Sequence, residues 1–378
     1  MAAMSHRERI IKALDHEEPD RVPIDMGSLN SGVDSPGYGR LAKYLGMEEE
    51  LRRPELKDPS VTVVPGQKMA ERFGIDTRPL VVRSPQEVKE QLDEVTYRDE
   101  WCVLWKRTEG GPYMNKMGPF QEEEPSLADL DRFPWPDPED PSRVEGLRES
   151  ARKLHEETDY AVVLSIGNGV VALCQRLRGF TEWMEDLVLQ PTVAEAMEEY
   201  VTEVIVGVTR AALRVAGPYV DVVWFGDDLG IQDRPYFRPE LYRSRIKAYH
   251  RRLVDAIKSE SAAKVVLHTD GSIYPLIQDF IDIGIDAINP VQVSAKDMDT
   301  KRLKAEFGDR MGFWGGIDTQ HVLPFGSPDD VTEEVQTRIR DLAPGGGYVL
   351  ASVHTIRPEV PPQNIVAMAE AALEYGRY

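Results

Sequence analysis

His268-Thr269-Asp270 sets an imidazole and a carboxylate two positions apart. In extended backbone, residues i and i+2 point to the same side, so the two groups share a face as the chain leaves a strand. Such a pair suits two ligands of one ion or an oriented acid–base couple, and equally a structural hydrogen bond. His354 closes a later apolar run, Tyr348 to Val353, and brings a second imidazole. Two histidines and a carboxylate make an open zinc site whose fourth position is left to substrate or water, with His268, Asp270 and His354 as candidate metal ligands. Without an ion the same histidines are hydrogen-bonding groups in a pocket.

Asp227-Asp228 is the second constellation. Neighbouring residues at a strand end point to opposite faces, so one enters a site while the other caps the next segment or forms an Asx-type turn before Leu229-Gly230. Asp227 is taken as the site-facing acid beside His268 and His354. Asn168, Asp228 and Gln292 are taken as substrate-binding groups. Gly345-Gly346-Gly347 precedes a strand and reads as a tight turn on the opposite face rather than a phosphate cradle. Cys174 falls on a helical segment and reads as a packed apolar residue. His6, His16, His155, His250 and His321 read as solvated surface groups.

The elements that must position these residues alternate in type. Tyr160–Ile166, Tyr219–Phe225, Lys264–Leu267, Ile285–Ile288, Met311–Trp314 and Tyr348–Val353 are short apolar runs. Between them lie amphipathic segments, such as Val193, Met197, Val201 and Val204, or Val331, Val335, Ile339 and Leu342 behind Ser327-Pro328. Near-continuous apolar strands separated by such helices predict a parallel sheet covered on both faces. Two N-terminal candidates, Arg21–Met26 and Val61–Val64, bring the strands to the number a closed (β/α)8 barrel needs. An open doubly wound sheet lacks support, since no Gly-x-Gly-x-x-Gly turn follows a first strand. Ser5-His6-Arg7-Glu8 has the form of a capping box opening an N-terminal helix. Gly27–Gly39 reads as a long loop. Residues 93–120, with a turn at Gly110-Gly111-Pro112, read as a β-hairpin excursion within one barrel domain spanning residues 1–378. The ends of the last six strands carry Asn168, Asp227-Asp228, His268, Asn289, Asp318 and His354, and in a barrel they converge on one mouth.

The chain has 378 residues, a formal charge of −20 and two cysteines, Cys102 and Cys174. That charge is repelled by phosphate backbones and anionic lipid, which disfavours nucleic acid and membrane surfaces as partners. The cysteines allow no disulfide framework and no thiolate cluster. With no signal-type or spanning apolar stretch, a cytoplasmic enzyme with a small-molecule substrate is expected, as a homodimer.

These residues also carry a family pattern. Glu18-Pro19-Asp20-Arg21-Val22-Pro23, Asp99-Glu100-Trp101, Pro134-Trp135-Pro136-Asp137-Pro138, Asp227-Asp228-Leu229-Gly230, His268-Thr269-Asp270-Gly271, Asn289-Pro290-Val291-Gln292, Trp314-Gly315-Gly316-Ile317-Asp318 and Val360-Pro361-Pro362-Gln363-Asn364 occur in order along nearly the whole chain. Together they resemble the uroporphyrinogen decarboxylase superfamily, and its cobalamin-linked methyltransferase branch more than the decarboxylase itself. The resemblance implies a distorted (β/α)8 barrel with its active site at the mouth. True decarboxylases carry an arginine-bearing loop after the first strand to grip the carboxylates of uroporphyrinogen. Here Gly27-Ser28-Leu29-Asn30-Ser31-Gly32 stands there, with no arginine before Arg40, which disfavours that substrate.

The methyltransferase branch holds zinc through a His-x-Cys pair after the fifth strand and a cysteine near the eighth. By that resemblance His268 matches the histidine, Asp270 replaces the first cysteine and His354 falls close to the second. Harder ligands leave zinc a stronger Lewis acid, suited to the oxygen of a methyl ether. The resemblance therefore implies removal of a methyl group from a small methoxylated or methylamine-type substrate. The acceptor would be a corrinoid on a separate protein, since no Asp-x-His-x-x-Gly cobalamin signature is present. His354, ahead of Pro361-Pro362, is also similar to a histidine of the decarboxylases. A metal-free lyase acting on another acid, and a non-catalytic binding member, are the rival expectations.

Overall fold

The capping box at the N-terminus forms as its residue types require. Glu8 N–H donates to Ser5 Oγ at 3.2 Å and Ser5 N–H donates to Glu8 Oε2 at 2.9 Å, opening helix α1, His6–Leu14. The structure, a computed structural model, describes residues 4–378 except Leu29, 52–61, 86–89 and Gly110. Val61 of the strand candidate, Leu29 of the loop and Gly110 of the turn therefore lie outside the described residues.

The strands in chain order are β1 Val33–Asp34, β2 Thr62–Val63, β3 Thr77–Val81, β4 Glu90–Gln91, β5 Thr96–Arg98, β6 Leu104–Arg107, β7 Tyr113–Met117, β8 Ala161–Asn168, β9 Val222–Gly226, β10 Lys264–His268, β11 Ala287–Asn289, β12 Gly312–Ile317 and β13 Tyr348–Ser352. A parallel sheet runs in the order β3-β8-β9-β10-β11-β12-β13. It curls until both edges meet residues 23–25: Asp25 N–H donates to Leu350 O at 2.9 Å on one side, and Asp76 N–H donates to Ile24 O at 2.8 Å on the other. This segment closes an α/β barrel of the (β/α)8 kind. It is not a regular strand, because Pro23 has no N–H and Ile24 N–H donates instead to Asp76 Oδ2 at 2.7 Å.

Two expectations need correction. Thr62 and Val63 pair antiparallel with Val33 and Asp34 outside the barrel. The second barrel strand is β3, Thr-Arg-Pro-Leu-Val, which its neighbour β8 defines more than its own composition does. The excursion is also more than a hairpin: β4 to β7 form a four-stranded antiparallel sheet.

Alternation sorts the barrel strands into two cores. Ala161, Val163, Val222, Trp224, Val266, Ala287, Trp314, Val349 and Ala351 point inward, where Ile10 and Leu14 of α1 join them. Val162, Leu164, Val223, Phe225, Val265 and Leu267 point outward into the helix layer. Each fully buried large side chain contributes about 1.5–3 kcal/mol, so this double layer holds the strand ends rigidly in register. The outer layer includes helices α2 Val170–Arg178, α3 Pro191–Ala216, α4 Lys247–Glu260 and α5 Pro328–Leu342. Cys174 is fully buried among them. Among the described residues no helix is long and apolar enough to cross a membrane.

Candidate metal centre

Register brings the polar strand ends level. His268 is paired with Gly226 of β9 on one side and Asn289 of β11 on the other, and Asn168 of β8 is paired with Gly226. The His268 ring stacks on Trp224, with centroids 5.7 Å apart, so the imidazole rests on the apolar plug of the barrel. Its Nδ1 stands 2.7 Å from Asn289 Oδ1, while Asn289 Nδ2 donates to Trp314 O at 3.2 Å. That orientation makes the amide oxygen an acceptor, places a ring proton on Nδ1, and leaves Nε2 as the ring nitrogen facing Asp270, a lone-pair donor when the ring is neutral.

His268, Asp270 and His354 come together: one ligand-capable atom from each lies within 4.8 Å of the others. His268 Nε2 is 3.9 Å from Asp270 Oδ2, and the two imidazole centroids are 5.7 Å apart. Burial pushes the Asp270 carboxyl pKa up, and the neighbouring His268 draws it back down. Burial, reinforced by His268, pushes the His354 pKa down and keeps that ring neutral. Neutral imidazoles and a carboxylate are the donor types of a zinc-class ion. His268 and Asp270 fit such an ion as they stand. His354 fits on one condition: its Nδ1 accepts the Thr355 N–H at 2.7 Å, which places the ring proton on Nε2 until that bond is released.

Asp227 is not in the cavity, contrary to expectation. Its carboxylate accepts from Ala172 N–H at 2.6 Å, Val171 N–H at 3.0 Å and His250 Nε2 at 2.7 Å, the last two buried behind the mouth. It therefore caps α2. A Cβ on Gly169 would lie 2.4 Å from Asp227 Oδ2, so only glycine admits this cap. His250, expected on the surface, is 1% exposed and is held from its other nitrogen by Tyr242. Asp228 takes the site-facing place. It accepts the Asp270 N–H at 3.0 Å and lines the mouth.

The mouth holds a cavity of about 660 Å³ with Asn168, Arg176, Trp224, Asp228, His268 and His354 in its wall. His354 also faces a smaller one of about 290 Å³, which Asp270 and Gln292 line. Both ends of the Gln292 amide are engaged by protein: Oε1 accepts Gly271 N–H at 2.7 Å and Nε2 donates to Gln232 Oε1 at 3.1 Å. Gln292 thus holds the Gly271 turn while lining this smaller cavity. Two residues of the site were not singled out from sequence. Asn289 was visible as a strand end, and its spacing one strand beyond His268 is the signal that finds it. Arg176, on α2, carries no motif.

A (β/α)8 barrel that gathers imidazoles and carboxylates at the carboxyl ends of its strands has a barrel-mouth site. The chain belongs to the uroporphyrinogen decarboxylase (URO-D) family, which residues 112–375 match. A uroporphyrinogen decarboxylase of Alkalilimnicola ehrlichii is 24% identical over 380 residues, covering 96% of this chain and 93% of its own. One of Hydrogenovibrio crunogenus is 30% identical over 139 residues, 36% of this chain and 37% of its own. Among solved structures, a methyltransferase from Methanosarcina mazei shares the fold, with a TM-score of 0.67 at 19% identity over 98% of this chain and 99% of its own.

Proposed function

We propose that this protein is a methyltransferase-type enzyme that takes a methyl group from a small methoxylated or methylamine-type substrate, using a zinc-class ion held by His268, Asp270 and His354. The acceptor in this proposal is a corrinoid carried by a separate protein. The observation that carries the proposal is the hydrogen bond from His268 Nδ1 to Asn289, which turns Nε2 toward Asp270 as the ring nitrogen open to an ion. When bound, an ion of this class supplies Lewis acidity toward an ether oxygen or an amine. Around it, Asn168 and Asp228 offer polar contacts to the substrate, and Trp224 gives the organic body an apolar floor. The likeness of fold to the Methanosarcina mazei methyltransferase agrees with this choice of chemistry. The test is zinc-dependent loss of cob(I)alamin absorbance with a panel of methyl ethers and methylamines. No turnover on any of them by zinc-replete protein contradicts it.

One observation favours a second reading. The Thr355 N–H bound to His354 Nδ1 puts a proton on Nε2, beside a carboxylate whose pKa burial raises. That is the arrangement of a metal-free lyase: the bond from carbon to carboxylate breaks, carbon dioxide leaves, His354 Nε2–H gives its proton to the carbon, and the Asp270 carboxyl reprotonates Nε2. The decarboxylase relatives accord with it. Imidazole ¹⁵N shifts separate the two readings. Zinc must displace the Nε2 proton of His354 in the first and leaves it in place in the second.

A further inference from the structure

Four arginines largely shielded from water meet carboxylates. Arg9 meets Asp76 and Asp20, Arg21 meets Asp76, Arg143 meets Glu100, and Arg178 meets Asp186 at 2.6 Å. Arg176, two residues from Arg178 and half-buried, does not. Among the described residues it makes no ion pair. Its one side-chain hydrogen bond is from Nη2 to Asn168 Oδ1 at 3.2 Å, and its guanidinium lies 5.3 Å from the centroid of the Trp105 ring. Trp105 is itself fixed, because its Nε1 donates to Asp99 Oδ2 at 2.7 Å. The Asp99 carboxylate is occupied by that bond and by the N–H groups of Trp101 and Val103, each at 2.9 Å. The four-stranded excursion thus supplies a platform that holds a cation at the barrel mouth. Gly118, at its end, packs so closely on α2 that a Cβ would lie 2.2 Å from Arg176 O.

Arg176 lines both the main cavity, with His268 and His354, and an adjoining one of about 180 Å³, and Asn168 is shared by the same two walls. A half-buried guanidinium with no carboxylate in contact is unfavourable alone, and burial lowers its pKa against the more distant pull of Asp99, Asp227 and Asp228. We infer that Arg176, assisted by Asn168, is the anchor for a carboxylate of the substrate, which makes the substrate a small monocarboxylic acid whose reacting group points at His268 and His354. The planar guanidinium fork matches a carboxylate in bidentate fashion. A dianion is disfavoured, because Asp228 shares the cavity wall and the amide groups at the start of α2 are already taken by Asp227. Trp224 and Val81 offer the apolar wall that an organic acid needs. The inference rests on the reading of the mouth as the reaction site and adds the charge of the substrate to it.

The test is calorimetric titration of intact, chelator-treated protein with para-methoxybenzoate and with methoxyacetate, each against its primary amide. Wild-type protein is expected to bind at least one acid about tenfold or more tightly than its amide, as charge-assisted hydrogen bonds give. Arg176→Gln is expected to abolish that preference and Arg176→Lys to keep part of it. Equal binding of acid and amide, binding of neither acid, tighter binding of a phosphonate analogue, or a folded Arg176→Gln protein that still prefers the acid would each overturn the anchor. If Arg176→Gln does not fold, the wild-type comparison and Arg176→Lys decide. An acid preference without methyl transfer in any assay contradicts the proposed function and leaves the anchor. Methyl transfer from neutral ethers alone does the reverse.

Discussion

Nδ1 of His268 and Oδ1 of Asn289 stand 2.7 Å apart on neighbouring, in-register strands, and Trp314 O fixes the amide that receives the bond. The most buried member of the candidate ligand set is therefore oriented before any ion arrives. Asn289→Ala removes the orienting acceptor. Zinc affinity is expected to fall about ten- to hundredfold, the usual cost of losing such a partner. The thermal midpoint should drop modestly, since one buried N–H loses its acceptor at about 1–3 kcal/mol. Competitive chelator titration beside a melting curve reads both.

Asp227 and Asp228 should separate cleanly. Asp227→Ala leaves two helix N–H groups and buried His250 without their acceptor, and about 3–5 kcal/mol of stability is expected to be lost in urea denaturation. Asp228→Asn keeps an oxygen to accept the Asp270 N–H, so stability should change by about 1 kcal/mol or less, and turnover should fall instead. An Asp227 variant of full stability and no activity would restore it as the acid.

How far the site was legible follows from such neighbours. Alternation predicted that Asp227 and Asp228 diverge, but which one enters the mouth depends on Gly169 and His250, far apart in sequence and adjacent only in the fold. Six barrel strands were plain as apolar runs because both faces are covered. β3 was hidden because Arg78 and Pro79 interrupt its apolar pattern, and its identity comes from pairing along β8. Arg21–Met26 was legible as a strand candidate; that it closes the barrel, without a regular ladder because of Pro23, comes from the structure. The clustering of His268, Asp270 and His354 needed only the strand-end rule. Arg176 needed the excursion sheet, which has no counterpart in a plain barrel pattern.

Glu198, fully buried on α3, has its pKa pushed up to about 7 by burial, against the pull of Arg245. The folded state then holds a proton that the unfolded chain has lost, so stability from this group is present below about pH 4.5 and declines as pH rises towards 7. Wild-type protein is expected to lose on the order of 2–3 kcal/mol relative to Glu198→Gln between pH 4.5 and 8. Urea unfolding of both proteins across that range checks the sign. A difference that does not vary with pH refutes it.

Asp270→Cys should keep the ion while making it a weaker Lewis acid, because thiolate donates more electron density than carboxylate. Full zinc occupancy with reduced turnover of an ether substrate is the expected pair of results. Elemental analysis and the cob(I)alamin assay on the same preparation measure both.

The central claim is that His268, Asp270 and His354 hold one ion, and metal content tests it most directly. Protein purified without chelator and reconstituted should carry stoichiometric zinc by elemental analysis, and His268→Ala and His354→Ala should carry none while remaining folded. Substoichiometric zinc that does not rise on reconstitution, in protein that is fully active, would contradict the claim and leave the metal-free lyase.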